Sequence, residues 1–167
     1  MLKNILVLTI VLGFCYSARA LTMNDSQIEK VLITINEGEI DAAKLAIKKT
    51  QNDKVKSFAQ MMLNDHKKNK SETKKMTKKM LAKSELAETL KKEASISNKA
   101  LKKVDTSGFD KAYIDQQVTM HETALATLTE KLIPNTKNAD LINHLTATKI
   151  AVSHHLEEAK NIQTELH

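Results

Sequence analysis

The sequence is poor in the residues that build β-rich or disulfide-stapled folds. In 167 residues it has no tryptophan, two tyrosines, three phenylalanines, one proline and one cysteine. A β-sandwich needs turn residues at short, regular intervals, and three glycines with a single proline do not supply them. A lone cysteine, Cys15, forms no intrachain disulfide, so the core has to hold the fold together. There is no Cys-x-x-Cys-His haem attachment, no glycine-rich phosphate loop and no glycine-flanked nucleophilic serine. Hydrolase and nucleotide chemistry therefore have no support, and the sequence assigns no reaction.

The N-terminus reads as a targeting segment. Lys3 precedes a nearly continuous apolar run from Ile5 to Tyr16, and Ala18-Arg19-Ala20 has the small-x-small form of a signal-peptidase site. The run is too short to span a bilayer, which takes roughly 20 apolar residues. Residues 1–20 are thus expected to be a cleaved signal peptide, and residues 21–167 a single domain. Phe14 before Cys15 argues against a lipoprotein signal. The expected location is the periplasm or the exterior, with outer-membrane association as a further option. Export argues against nucleic acid as a partner. The net charge of +6 comes almost wholly from lysine and is compatible with weak attraction to anionic surfaces.

What the chain does have is Lys, Leu, Ala, Glu and Thr at helical spacing. Ser26-x-x-Glu29 has the capping-box form and predicts a helix running to about Thr50. Gln51-Asn52-Asp53 is a short break, and Asp53 is placed to cap a second helix ending near Met80. Residues 83–106 read as less regular, a crossover of one or two short helices. Ser107 is placed to cap a third long helix ending near Ile133, before Pro134. A fourth begins near Asn138. The expected fold class is all-α, a four-helix bundle with a short-helix crossover between helices two and three.

Each helix carries an apolar stripe at steps of three and four. The stripes read Ile28, Leu32, Ile35, Glu39, Ala42, Ala46; Val55, Ala59, Met62, His66, Asn69; Ile114, Val118, His121, Leu125, Leu128, Leu132; and Leu141, Leu145, Thr148, Val152, His155, Ala159, Ile162. One strong metal-ligand type falls in each. The midpoint of Glu39 and His66 lies at Asn52–Asp53, inside the first hairpin break, and His121 and His155 are similarly disposed about the second. Each sits about 20 Å from its turn, at 1.5 Å per residue. All four are thus expected near mid-height, converging on one point.

Two readings of Glu39, His66, His121 and His155 stand at this point. They bind a transition metal, with zinc, copper or iron favoured by three imidazoles and one carboxylate. Alternatively they form a hydrogen-bonded polar knot with no metal, in a structural or interaction bundle. Met61, Met62 and Met120 lie near these histidines and would favour copper(I), although methionine in a helical stripe is ordinarily core filler. The lysine run from Lys67 to Lys83 reads as a solvated face, with binding to anionic surfaces as a third possibility.

The segments EIDAAKLAIKKTQNDKVKSFAQMMLNDHKKN, FDKAYIDQQVTMHE and HHLEEAK resemble a secreted, ferritin-like bacterial family of unknown function, often labelled as outer membrane proteins. The matching positions are Glu39, Phe58-Ala59-Gln60, Asp65-His66, Phe109-Asp110, Tyr113, His121 and His155-Leu156. The resemblance implies a ferritin-like bundle in the cell envelope and brings no established reaction. A di-iron centre is not expected, because such bundles use paired Glu-x-x-His motifs. Here the nearest equivalent is reversed, His155-x-x-Glu158.

Overall fold

The computed structural model describes residues 22–77 and 80–166. The expected signal peptide lies outside the described residues. The described chain forms five α-helices: α1 (Asp25–Lys49), α2 (Asp53–Met76), α3 (Glu85–Lys103), α4 (Thr106–Thr127) and α5 (Ala139–Glu165). The all-helical bundle expected from periodicity is what is observed.

The helix starts differ from expectation in instructive ways. Asn24, not Ser26, caps α1. Its Oδ1 accepts from the Gln27 amide at 3.0 Å, and its own amide donates to Gln27 Oε1 at 3.1 Å. Ser26 Oγ instead accepts from the Ala82 amide at 2.9 Å, and Gln27 Nε2 donates to the Lys83 carbonyl at 2.9 Å. These bonds fasten the segment before α3 to the start of α1. Asn52, rather than Asp53, caps α2 by accepting from the Lys54 and Val55 amides. Asp53 occupies the first turn, where its charge complements the helix dipole. Asp105 caps α4 by accepting from the Gly108 amide at 2.9 Å, and Ser107 donates its hydroxyl to the same carboxylate. The α5 cap is Asn138, as expected.

The main correction is α3. The segment expected to be irregular is one 19-residue helix capped by Ser84. It starts beside Ser26 and finishes beside Lys49, whose Nζ donates to the Lys102 and Val104 carbonyls. It therefore runs the length of α1 in the same direction. Its stripe of Ala87, Leu90, Ala94 and Leu101 is interrupted by Ser97 and Asn98, which hides it in the sequence. Both polar groups are pinned. Asn98 Nδ2 donates to the Gly38 carbonyl at 3.1 Å, and Gln116 Nε2 of α4 donates to Ser97 Oγ and Asn98 Oδ1. Gly38 permits this close approach, because a Cβ there would lie 2.9 Å from Ala94 Cβ.

α2 ends at Met76, four residues before the expected Met80, where Thr77 turns extended. After Thr127, α4 continues as a π-helical turn (Leu128–Leu132) and a 3₁₀ turn (Ile133–Asn135) that carries Pro134. α5 then runs back to the first hairpin, where Lys54 and Glu165 pair.

Two apolar cores fill the bundle. One, at the first-hairpin end, includes Ala46, Val55, Phe58, Met62, Phe109, Tyr113 and Ile162. The other, at the opposite end, includes Ile28, Leu32, Ala87, Leu132, Leu141 and Leu145. Ile35 and Leu125, expected in the stripes, are only partly buried and pack against this second core. At mid-height lies a layer of buried polar side chains: Asn36, Glu39, His66, Gln117, His121 and His155.

Candidate metal centre

Four helices each send one of the expected residues into this layer. Glu39 on α1 and His121 on α4 are 1% exposed, His66 on α2 is 4% exposed and His155 on α5 is 5% exposed. The three imidazoles form a nearly equilateral triangle. Ring centroids are 5.8 Å apart for His66–His121, 5.5 Å for His66–His155 and 5.5 Å for His121–His155. One ring nitrogen from each lies within 4.8 Å of the others.

The hydrogen bonds determine which nitrogen of each ring is left free. Asn36 Nδ2 donates to the Leu32 carbonyl and to Asn69 Oδ1, both at 2.8 Å, so Asn36 Oδ1 is an acceptor. His66 Nδ1, 2.9 Å from it, must therefore carry the proton. His121 Nδ1 donates to the Gln117 carbonyl at 2.8 Å, and His155 Nε2 donates to Asp65 Oδ2 at 3.0 Å. Each imidazole is thus held in one tautomer by an acceptor on its outer side. The remaining nitrogens, His66 Nε2, His121 Nε2 and His155 Nδ1, are buried and have no hydrogen-bond partner. An outer acceptor that fixes the tautomer and frees the inner lone pair is the support that histidine ligands receive in metalloproteins.

Burial keeps all three rings neutral. It holds His66 well below the ordinary histidine range, helped by repulsion from the other two rings. It lowers His121 to about 4, partly offset by the Gln117 carbonyl. It lowers His155 too, with the Asp65 hydrogen bond opposing. Neutral imidazoles offer lone pairs at neutral pH without first losing a proton.

Glu39 stands to one side. Its Oε2 accepts from Gln117 Nε2 at 3.2 Å, and its Oε1 is 3.7 Å from His121 Nδ1, the nitrogen already donating elsewhere. Because His121 is neutral, this is not an ion pair. The group of side chains whose ligand atoms lie mutually within 4.8 Å comprises the three histidines, without Glu39. Burial raises the Glu39 pKa to about 7, opposed by the Gln117 hydrogen bond and by His155. The same burial, with the nearby Glu39 charge, pushes the Tyr113 hydroxyl well above its usual value.

Sequence patterning puts Asn69 and Thr148 in the stripes but not Asn36, and gives none of the three a role. A chain of amides connects three helices: Asn69 Nδ2 donates to Thr148 Oγ1 at 2.7 Å, Asn36 donates to Asn69, and His66 donates to Asn36. Asn36 lies three residues before Glu39, on the same side of α1, and that spacing was the available signal. Asp65, adjacent to His66, serves His155 instead. Met62 belongs to the apolar core at the first-hairpin end, and Glu158 is exposed. His144 bonds Thr73 Oγ1 at 2.9 Å outside the triangle, and His154 is exposed.

A family model described as a domain of unknown function (DUF4142) matches residues 16–162. The chain belongs to the DUF4142 family. The match covers every residue of the buried polar layer, so that layer is part of the DUF4142 domain. Comparison with curated proteins finds no match, and neither does comparison with solved structures.

Proposed function

We propose that this DUF4142 domain is a ferritin-like bundle that binds one transition-metal ion through His66, His121 and His155, with Glu39 held by Gln117 outside the ligand set. The observation that carries this reading is the three buried imidazole nitrogens, each unpartnered and each opposite a nitrogen held by an acceptor. Leaving a buried polar atom unmade costs about 1–3 kcal/mol, and three at one point call for a shared partner. A single cation meets all three lone pairs.

The donor set fits zinc, copper or iron rather than magnesium or calcium. Three imidazoles at about 2.0–2.1 Å from a tetrahedral ion stand about 3.4 Å apart. A triangle within 4.8 Å would draw in by up to about 1.4 Å on loading. The polar-knot alternative, a structural bundle without metal, requires Glu39 to serve the histidines. The carboxylate instead meets Gln117 and a nitrogen that is already donating, which favours the metal reading.

The ferritin-like assignment is supported by α3, which travels the full bundle length between the two hairpins and supplies the long crossover of that topology. The signal-like sequence of residues 1–20 supports a periplasmic or secreted protein with a role in metal handling or envelope stress. Among the described residues no helix is long and apolar enough to cross a membrane. A weak association with the outer membrane would run through lysines such as Lys67, Lys74 and Lys75, which are exposed.

The test is metal analysis of untagged protein purified from the periplasm. One zinc, copper or iron per chain is expected, lost in His121→Ala. A metal content unaffected by that substitution, or no metal in the wild type after reconstitution, would refute the reading.

A further inference from the structure

The surface charge is segregated about the site. Although the chain is basic, the seam between α2 and α5 is acidic. Two clefts open along it, of about 260 Å³ and 680 Å³. They flank the Asp65–His155 hydrogen bond, and His155 lines both. Their walls carry Asp53, Asp65, Glu72, Glu157, Glu158 and Glu165 against only Lys54 and Lys68. The smaller cleft is also lined by His66, 96% buried with its Nε2 unpartnered. On the α5 side its wall includes the small residues Ala147, Thr148 and Ala151.

The other openings lack this combination. The groove between α1 and α3, about 630 Å³, is lined by five lysines, Lys44, Lys48, Lys91, Lys99 and Lys102, against Glu37 and Asp41, and by none of the histidines. A pocket of about 170 Å³ among α1, α3 and α4 reaches Glu39 but no histidine.

We infer that the α2/α5 seam is the port through which a divalent cation enters and leaves the histidine triangle, with its carboxylates concentrating the cation at the mouth. This rests on the metal reading above and adds a direction of access. Clefts lined by one sign of charge raise the local concentration of counter-ions and speed association, most strongly at low ionic strength. Asp65 has a double position. It is half exposed at the mouth, and it holds the outer nitrogen of His155, so an arriving cation meets first the carboxylate that orients the ligand behind it.

The experiment is stopped-flow loading of metal-free full-length protein with Zn²⁺, followed with a chromophoric chelator, with total zinc bound per chain measured in parallel. The Glu72→Lys/Glu157→Lys/Glu158→Lys variant is expected to load roughly 10-fold more slowly at low salt, with the difference shrinking as salt is raised. Ala151→Trp, which fills the smaller cleft from an exposed position, is expected to slow loading at all salt concentrations. Both should reach the wild-type stoichiometry, and Lys99→Glu in the lysine groove should load at the wild-type rate. Wild-type loading rates in both seam variants, with full stoichiometry, would overturn the port while leaving the metal site standing. No zinc uptake by the wild type would overturn the metal reading and the port together.

Discussion

Asn36 accepts the Nδ1 proton of His66 at 2.9 Å, joining α1 to α2 inside the bundle. The same amide donates to Leu32 and to Asn69, so its orientation is determined on both sides. This determines the tautomer of His66 and turns its Nε2 lone pair inward.

Asn36→Leu removes that acceptor while keeping an apolar side chain of similar size. Metal affinity is expected to fall about 10–100-fold, the usual cost of losing an outer partner of a histidine ligand. The metal-free protein should lose about 1–3 kcal/mol, because His66 Nδ1 is left buried and unbonded. Chelator competition and urea unfolding measure the two effects.

Asp65 provides a reversible version of the same test. Asp65→Ala leaves His155 without its outer acceptor and is expected to weaken metal binding about 10-fold or more. Asp65→Asn retains a carbonyl oxygen and should restore much of the affinity. Wild-type affinity in Asp65→Ala would show that the Asp65–His155 bond has no role in binding.

The stability of the metal-free protein should depend on pH in two opposed ways. The histidines are depressed, so their contribution is present above the unfolded value of about 6.5 and is lost as pH falls towards about 4, the His121 value. Glu39 is raised from 4.5 to about 7, so its contribution is present below 4.5 and is lost as pH rises through 7. Three histidines outweigh one carboxyl, so stability should climb from about pH 4 and level off above about pH 7. Glu39→Gln removes the opposing group, and the climb between about pH 4.5 and 7 should steepen. Urea midpoints across pH 4–9 in chelator-treated protein test both statements.

The glycines differ in what surrounds them. At Gly38 an added Cβ would stand 2.9 Å from Ala94 Cβ, so Gly38→Ala has to push α3 away from α1. A loss of about 1–3 kcal/mol is expected. At Gly108 the nearest atom is Val104 Cγ1 at 3.4 Å, the end of a side chain, and the position lies in the first turn of α4. Gly108→Ala should be neutral or stabilising by up to about 1 kcal/mol. Thermal unfolding of the two variants distinguishes them.

Periodicity alone determined which face of α1, α2, α4 and α5 turns inward, because burial of an apolar stripe is decided by residues three and four apart. It also placed Glu39, His66, His121 and His155 in one layer, since residues equidistant from a hairpin turn lie side by side at a constant rise per residue. It failed at α3, where Ser97 and Asn98 look like a break and are in fact satisfied by Gly38 and Gln116 from other helices. Local polarity cannot reveal a partner that is distant in sequence. For the same reason only the tertiary structure decided the chemistry of the layer. It drew three imidazole nitrogens to within 4.8 Å, turned Glu39 towards Gln117, and supplied from Asn36, Gln117 and Asp65 the acceptors that fix each proton. A sequence lists ligand types, but a lone pair acquires a direction only when another helix holds the opposite nitrogen.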